Sequence, residues 1–141
     1  MSKMWQVFAA PDDGSQNLPI APSPWHAGRF TYIPREHWTV LLAFAEQIDP
    51  QRTSTLRSLS RSQNLLADDE VHAPEKDLKA ANDFIRHLQS IIARSASLIN
   101  VLDGEVAEYF ENDEYVRMLE AVAAVLRESL RLGKPFRAWV E

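Results

Sequence analysis

The feature that most constrains the fold is a long stripe of apolar side chains in the second half of the chain. Apolar or small residues recur alternately three and four positions apart at Leu78, Ala81, Ile85, Leu88, Ile92, Ser95, Ile99 and Leu102. This spacing places one apolar face along an α-helix. It predicts a single helix from about 75 to 103, which at 1.5 Å per residue would be about 40 Å long.

Three further segments have helical patterns. Apolar positions repeat at helical spacing over 34–49, starting with a proline at the predicted first helical position. The pair Asp49–Pro50 is typical of an N-cap followed by proline, and it predicts a second helix through Leu56 and Leu59, with an extension to Leu65 left open. The last helix is predicted over 113–132, where the sequence Gly133-Lys134-Pro135 ends it.

The first quarter of the chain is rich in proline and aromatic residues and is not helical. Trp5–Phe8 and Arg29–Ile33 are short, aromatic and β-branched, which is compatible with a small β-ribbon packed on the helices. Residues 67–73 are predicted to be a charged linker. The tail at 136–140 is predicted to fold back and bury Phe136 and Trp139.

These patterns together predict a mainly α fold. The expected architecture is a helical bundle of about four helices with a long central helix, and a small N-terminal β-ribbon is left open. A chain of 141 residues is about one domain in size. We therefore expect a single domain over 1–141, in which the Pro-rich aromatic segment 1–33 packs on a helical core formed by 34–141.

The motifs of common enzyme classes are missing from the sequence. There is no cysteine, and four scattered glycines cannot form a Gly-x-Gly-x-x-Gly or Walker A loop. No Gly-x-Ser-x-Gly or Ser-x-x-Lys pattern occurs, and the four histidines lie in unrelated contexts. The sequence therefore predicts a protein that is not an enzyme and has no catalytic, cofactor or metal site.

Apolar runs in the sequence are short. The N-terminus lacks an apolar signal region, and the run at 40–45 is far shorter than the about 20 residues of a membrane span. We expect a cytoplasmic protein without membrane contact.

The net charge of −5 is concentrated in the second half of the chain. Residues 1–67 carry six basic and five acidic side chains, whereas residues 68–141 carry nine basic and fifteen acidic ones. Nucleic-acid binding depends largely on positive side chains. Direct nucleic-acid binding is therefore not expected.

An acidic block precedes and enters the last predicted helix. Its seven carboxylates, opposed only by Arg117, are Asp103, Glu105, Glu108, Glu111, Asp113, Glu114 and Glu120. Like charges three residues apart on a helix repel each other, and a basic partner would offset that cost. Two other interpretations are a solvated helix junction, whose carboxylates favour the positive helix N-terminus, and a metal site, although no EF-hand loop or Glu-x-x-His pair is present. Asp103-Gly104 fits either the end of the long helix or a kink within it.

In size, acidity and helical content the chain resembles bacterial immunity proteins, which neutralise a cognate toxin of polymorphic-toxin or contact-dependent inhibition systems. The residues that carry this resemblance are the acidic stretch from Glu105 to Glu114, the run Tyr115-Val116-Arg117-Met118-Leu119-Glu120, and the C-terminal run from Phe136 to Glu141. The resemblance implies a complex in which acidic side chains cover a basic cleft of the toxin. The partner-binding residues expected on this basis are Asp103, Glu105, Glu108, Tyr109, Glu111, Asp113 and Glu114.

The alternative hypothesis is a non-enzymatic structural or ligand-binding domain. In this case the long helix would form a homodimer seam through Leu88, Ile92 and Ile99. The two hypotheses differ in which surface of the chain is used.

Overall fold

The computed structural model describes residues 4–10, 30–60, 70–71, 73–95 and 111–140. Within these ranges the chain is mostly helical and carries a small antiparallel sheet, as the sequence predicts. The elements in chain order are β1 (Trp5–Ala9), β2 (Phe30–Pro34), α1 (Arg35–Ile48), α2 (Pro50–Ser58), β3 (Glu70–Val71), α3 (Glu75–Ile92), α4 (Asn112–Leu132) and β4 (Phe136–Val140).

The sheet has the strand order β2-β1-β4-β3, and each pair of neighbouring strands is antiparallel. The pairing of β1 with β2 confirms the N-terminal ribbon. The chain's tail does fold back, and it does so as a strand, β4, on the other side of β1; Phe136 is fully buried and Trp139 only partly. Glu70 and Val71 pair with β4, so part of the predicted linker 67–73 is an edge strand instead.

Aromatic side chains attach this sheet to the helices. The ring of Phe8 in β1 meets the ring of Trp38 in α1 edge-on, with 5.4 Å between centroids, and lies 6.3 Å from the ring of Phe136 in β4. All three side chains are buried. Because a small isolated sheet is marginally stable in water, burial of these rings supplies the packing that it needs.

A buried group of hydrogen bonds joins the same elements. The indole Nε1 of Trp38 donates to Ser60 Oγ at 2.9 Å, and Ser60 Oγ donates to the carbonyl oxygen of Leu56 at 3.0 Å. Gln6 Nε2 in β1 donates to the Ser60 carbonyl, and Arg35 Nη1 donates to Gln6 Oε1 at 2.5 Å. The end of α2, the start of α1 and the sheet therefore share one polar joint.

The sequence predicts the start of α2 correctly but places the start of α1 one residue too early. Pro34 is the last residue of β2 and the N-cap of α1, rather than the first helical residue as predicted. Asp49 is the N-cap of α2 as predicted, since its Oδ1 accepts from the Arg52 backbone N–H at 3.1 Å, and Pro50 follows as the first helical residue.

α3 ends at Ile92, well before the predicted end at 103. At 18 residues it is about 27 Å long, so it is not the 40 Å spine that the sequence predicts. The final carbonyls of a helix need donors from elsewhere. Here Asn112, the first residue of α4, donates from Nδ2 to the carbonyls of Ile92 at 3.1 Å and Ser95 at 2.9 Å. The start of α4 thus caps the end of α3, while residues 96–110, including Gly104, lie outside the described ranges.

α3 and α4 pack side by side and antiparallel, as predicted. Two contacts show their opposite directions: Gln89 Nε2 donates to the Val116 carbonyl at 3.0 Å, and Arg86 Nη1 lies 2.6 Å from Glu120 Oε2. α4 ends at Leu132, and Gly133 follows with a φ of 64°, a left-handed conformation that glycine adopts without strain.

The packing of α3 against α4 buries residues predicted to form a dimer seam. Leu88 and Ile92 are completely buried in the chain's own core. They cannot face a second copy while α3 lies on α4, so the seam is wrong at these two positions. Ile99 lies outside the described ranges.

Candidate functional site

The predicted partner-binding residues divide into two groups. Asp103, Glu105, Glu108 and Tyr109 lie outside the residues that the structure describes. Glu111, Asp113 and Glu114 surround the first turn of α4. We call these three residues the α4 acidic cluster.

Local helix chemistry explains why acidic residues occur at this position. Glu111 is the N-cap, and its carbonyl accepts from the backbone N–H groups of Glu114 and Tyr115 at 3.0 and 3.3 Å. Glu114 Oε1 accepts in return from the Glu111 backbone N–H at 3.5 Å. Carboxylates in the first turn also interact favourably with the helix dipole, typically by about 0.3–1 kcal/mol each. Part of the acidic character therefore serves the fold.

The charges of the α4 acidic cluster remain accessible. Glu111 and Asp113 are exposed and Glu114 is partly exposed. None of the three forms an ion pair with another described residue. Arg117, about one turn further along α4, is exposed and is likewise outside the ion pairs of the described ranges. The cluster consequently presents up to three negative charges to solvent.

Glu120 belongs to the acidic block of the sequence but differs from the cluster in its surroundings. Arg86 Nη1 lies 2.6 Å from one of its oxygens, and Arg127 Nη2 lies 2.9 Å from the other. Partial burial by itself raises the pKa of Glu120, but the hydrogen bond from Arg127 and the charges of both guanidinium groups outweigh burial, so the net pKa is lowered. Two arginines already compensate this carboxylate, which separates it from the α4 acidic cluster.

The first turn of α4 is fixed from two sides. Asn112 ties it to the end of α3. The fully buried Tyr115 ties it to α1, because its Oη lies 2.8 Å from Nδ1 of His37, which is also fully buried. The two rings meet edge-on with 5.7 Å between centroids. The α4 acidic cluster therefore sits on a turn that is tied to α1 and to the end of α3.

His37 has a second contact that the sequence does not reveal. Its Nε2 lies 3.7 Å from Oε1 of Glu36, the neighbouring residue on α1. Neither His37 nor Asn112 is a predicted site residue, because each acts through a partner far away in the sequence. Only the periodic position of Tyr115 on the apolar face of α4 signals its burial in advance.

Formal charge is distributed unevenly between the described ranges and the rest of the sequence. The described ranges contain twelve basic and twelve acidic side chains, so their formal charges cancel. The remaining residues contain three basic and eight acidic side chains, which gives the whole surplus of −5. The excess acidity of the protein thus belongs to segments such as 96–110, which directly precede the α4 acidic cluster in the sequence.

Comparison with known proteins gives no relative: no family model, curated protein or solved structure matches this chain.

The described residues hold no candidate metal site and no candidate membrane span. No three histidine, aspartate or glutamate side chains among them are grouped so that they could hold a metal ion. No helix in these ranges combines the length and the apolar character needed to cross a membrane.

Proposed function

We propose that this protein is an immunity protein that binds and neutralises a cognate bacterial toxin, and that the α4 acidic cluster contacts a basic cleft of that toxin. The observation that carries the proposal is the cluster itself, since it holds exposed carboxylates without ion-pair partners among the described residues. The other segment of the interface would be the acidic stretch with Asp103, Glu105, Glu108 and Tyr109.

Electrostatics supports a basic partner. A group of like charges on one surface accelerates the association of an oppositely charged protein, and it suppresses the binding of acidic ones. The described ranges are formally neutral when the α4 acidic cluster is counted among them, so the net negative field of the protein comes from the acidic residues outside these ranges. A nuclease-like toxin, whose substrate cleft must attract phosphate groups, has the complementary charge.

The anchoring of the first turn of α4 supports tight binding. Asn112 and Tyr115 hold the first turn of α4 on two other helices. An interface that is already ordered before binding loses less conformational freedom when the complex forms. The carboxylates of Glu111 and Asp113 are therefore suited to a lasting complex as well as to fast association.

The test uses the reading frame encoded next to this chain as the candidate toxin. We expect co-expression of the wild-type chain to restore growth of cells that produce the toxin domain. The double variant Glu111→Lys/Asp113→Lys should lose this protection and associate with the purified toxin at least about tenfold more slowly at low salt. Far-UV circular dichroism checks that the variant is folded.

A control for overall charge is Asp83→Lys, a single charge reversal compared with the two in the double variant. Asp83 is an exposed carboxylate on α3 that forms no ion pair with the other described residues. Its reversal changes the net charge without touching the α4 acidic cluster, so protection should be retained. Full protection by the double variant, or a wild-type association rate that does not fall with rising salt, would refute the proposal.

A further inference from the structure

A groove lies at the opposite end of α4 from the acidic cluster. It runs between the start of α3 and the turn that connects α4 to β4, and its volume is about 530 Å³. The apolar part of its lining comes from both sides: Ala73, Pro74, Leu78, Leu130 and Pro135. Small-molecule sites in proteins commonly enclose roughly 300–1,000 Å³ and are mostly apolar with a few polar groups. This groove has the size of such a site, and both apolar and polar atoms form its surface.

The charged residues of the lining are Glu75 and Lys134. Glu75 Oε1 lies 3.1 Å from Lys79 Nζ, one helical turn away, so its charge is already paired. The Lys134 side chain is exposed and forms no ion pair with the rest of the described chain. Among the described residues, Lys134 is therefore the charged lining residue without an ion-pair partner, and its charge is positive.

The backbone that carries Lys134 is held in place. Its N–H donates to the Ser129 carbonyl at 3.3 Å, and Ser129 Oγ donates to the Lys134 carbonyl. The N–H of Gly133 donates to the Leu130 carbonyl at 3.3 Å. This double closure of the helix end is the Schellman arrangement, which fixes the two residues after the helix. Lys134 is thus anchored at the edge of an apolar surface.

We propose that this groove binds a small organic anion that carries one carboxylate on a compact apolar body. The apolar body lies against Leu78 and Leu130, and the carboxylate faces the Lys134 ammonium group. A polyphosphate or a dication does not match a lining with a single unpaired positive charge. The site is separate from the α4 acidic cluster, because the 21 residues of α4 put about 30 Å between the two ends, so its test is independent of the proposed toxin complex.

The experiment titrates the intact ¹⁵N-labelled chain with octanoate and, as an uncharged probe of equal length, with 1-octanol. We expect octanoate to shift the amide signals of Ala73, Gly133 and Lys134 saturably in the millimolar range or below. Octanoate should bind roughly fivefold more tightly than 1-octanol, which is the effect of one solvated ion pair at contact distance.

Two lysine variants separate the groove from general surface charge. Lys134→Gln should reduce the affinity for octanoate to that for 1-octanol. Lys76→Gln is the matched control, because Lys76 is an exposed lysine on the first turn of α3 that does not line the groove, and it should leave both affinities unchanged. The proposal is overturned if the three amides show no saturable shift, if the two probes bind equally to the wild-type chain, or if Lys134→Gln keeps the preference for octanoate.

Discussion

Replacement of Ser60 by alanine should be among the most destabilising small changes in this chain. Ser60 Oγ accepts the indole N–H of Trp38 at 2.9 Å, and the Trp38 side chain is completely buried. Without Ser60 Oγ the N–H group stays in the core without an acceptor, which costs about 1–3 kcal/mol. Loss of the second bond, to the Leu56 carbonyl at 3.0 Å, adds about 0.5–1.5 kcal/mol. We expect Ser60→Ala to lower the free energy of unfolding by roughly 1.5–4.5 kcal/mol.

A double-mutant cycle isolates the indole contribution. In a Trp38→Phe background there is no indole N–H to leave unpaired, so Ser60→Ala should cost only the bond to Leu56, about 0.5–1.5 kcal/mol. The difference between the two backgrounds should be about 1–3 kcal/mol. The matched control is Ser58→Ala, since Ser58 Oγ donates to the Thr55 carbonyl at 2.8 Å on the exposed surface of α2, two residues before Ser60. Water can replace that bond, and the cost should stay within about 0.5 kcal/mol.

The assay is urea unfolding followed by far-UV circular dichroism, which does not depend on the fluorescence of the replaced tryptophan. Unchanged slopes of the unfolding free energy against urea would show that the variants unfold from comparable native states. A coupling energy below about 0.5 kcal/mol, or a Ser60→Ala effect no larger than that of Ser58→Ala, would refute the account of this buried polar joint.

Three further predictions address the second half of the chain. Asn112→Ala removes two donors from the end of α3, including the one to Ile92, and should lower the free energy of unfolding by about 1–3 kcal/mol, which urea unfolding measures. Glu120→Gln should lower the free energy of unfolding by less than about 1 kcal/mol because the carboxylate is a surface group. The pKa of Glu120 is lowered in the folded state, so this loss of stability should be present at neutral pH. It should vanish as the pH falls through the lowered pKa, which unfolding experiments in the acid range measure. Gly133→Ala places a Cβ on a left-handed residue with no atom within 4 Å, so only backbone strain remains, and the melting temperature should fall by an amount that corresponds to about 1–2 kcal/mol.

The sequence predicts best those elements whose apolar spacing is regular and whose ends have local signals. α4 is predicted within one residue at its start, because its apolar positions are periodic and Gly133 stops it. The start of α2 is predicted for an equally local reason, the Asp49 cap. The ribbon of β1 and β2 follows from short aromatic and β-branched runs.

Elements that depend on distant partners are not predictable in the same way. The apolar stripe continues past Ile92 to Leu102 in the sequence, yet α3 ends at Ile92, whose carbonyl accepts a hydrogen bond from Asn112 Nδ2. β3 and β4 are short strands that exist through pairing with residues far away along the chain. The sequence of a five-residue strand such as β4 does not indicate which strand it will pair with. The contacts of His37 and Asn112 with the candidate site cannot be predicted for the same reason.

The α4 acidic cluster has a structural and a proposed functional role, and their magnitudes allow them to be separated. Favourable contact with the helix dipole is worth about 0.3–1 kcal/mol for each carboxylate and depends only on the charge of the first turn. Replacement of Asp113 by asparagine removes this charge but keeps the shape of the side chain, so it should cost the fold no more than about 0.3–1 kcal/mol. An interface charge that faces a basic cleft can contribute more than this, because its partner group is left unpaired when the charge is removed. If Asp113→Asn is nearly as stable as the wild type but associates with the toxin markedly more slowly, the carboxylate has a role in binding. If stability and association free energy both fall by less than about 1 kcal/mol, the carboxylate serves the helix N-terminus alone.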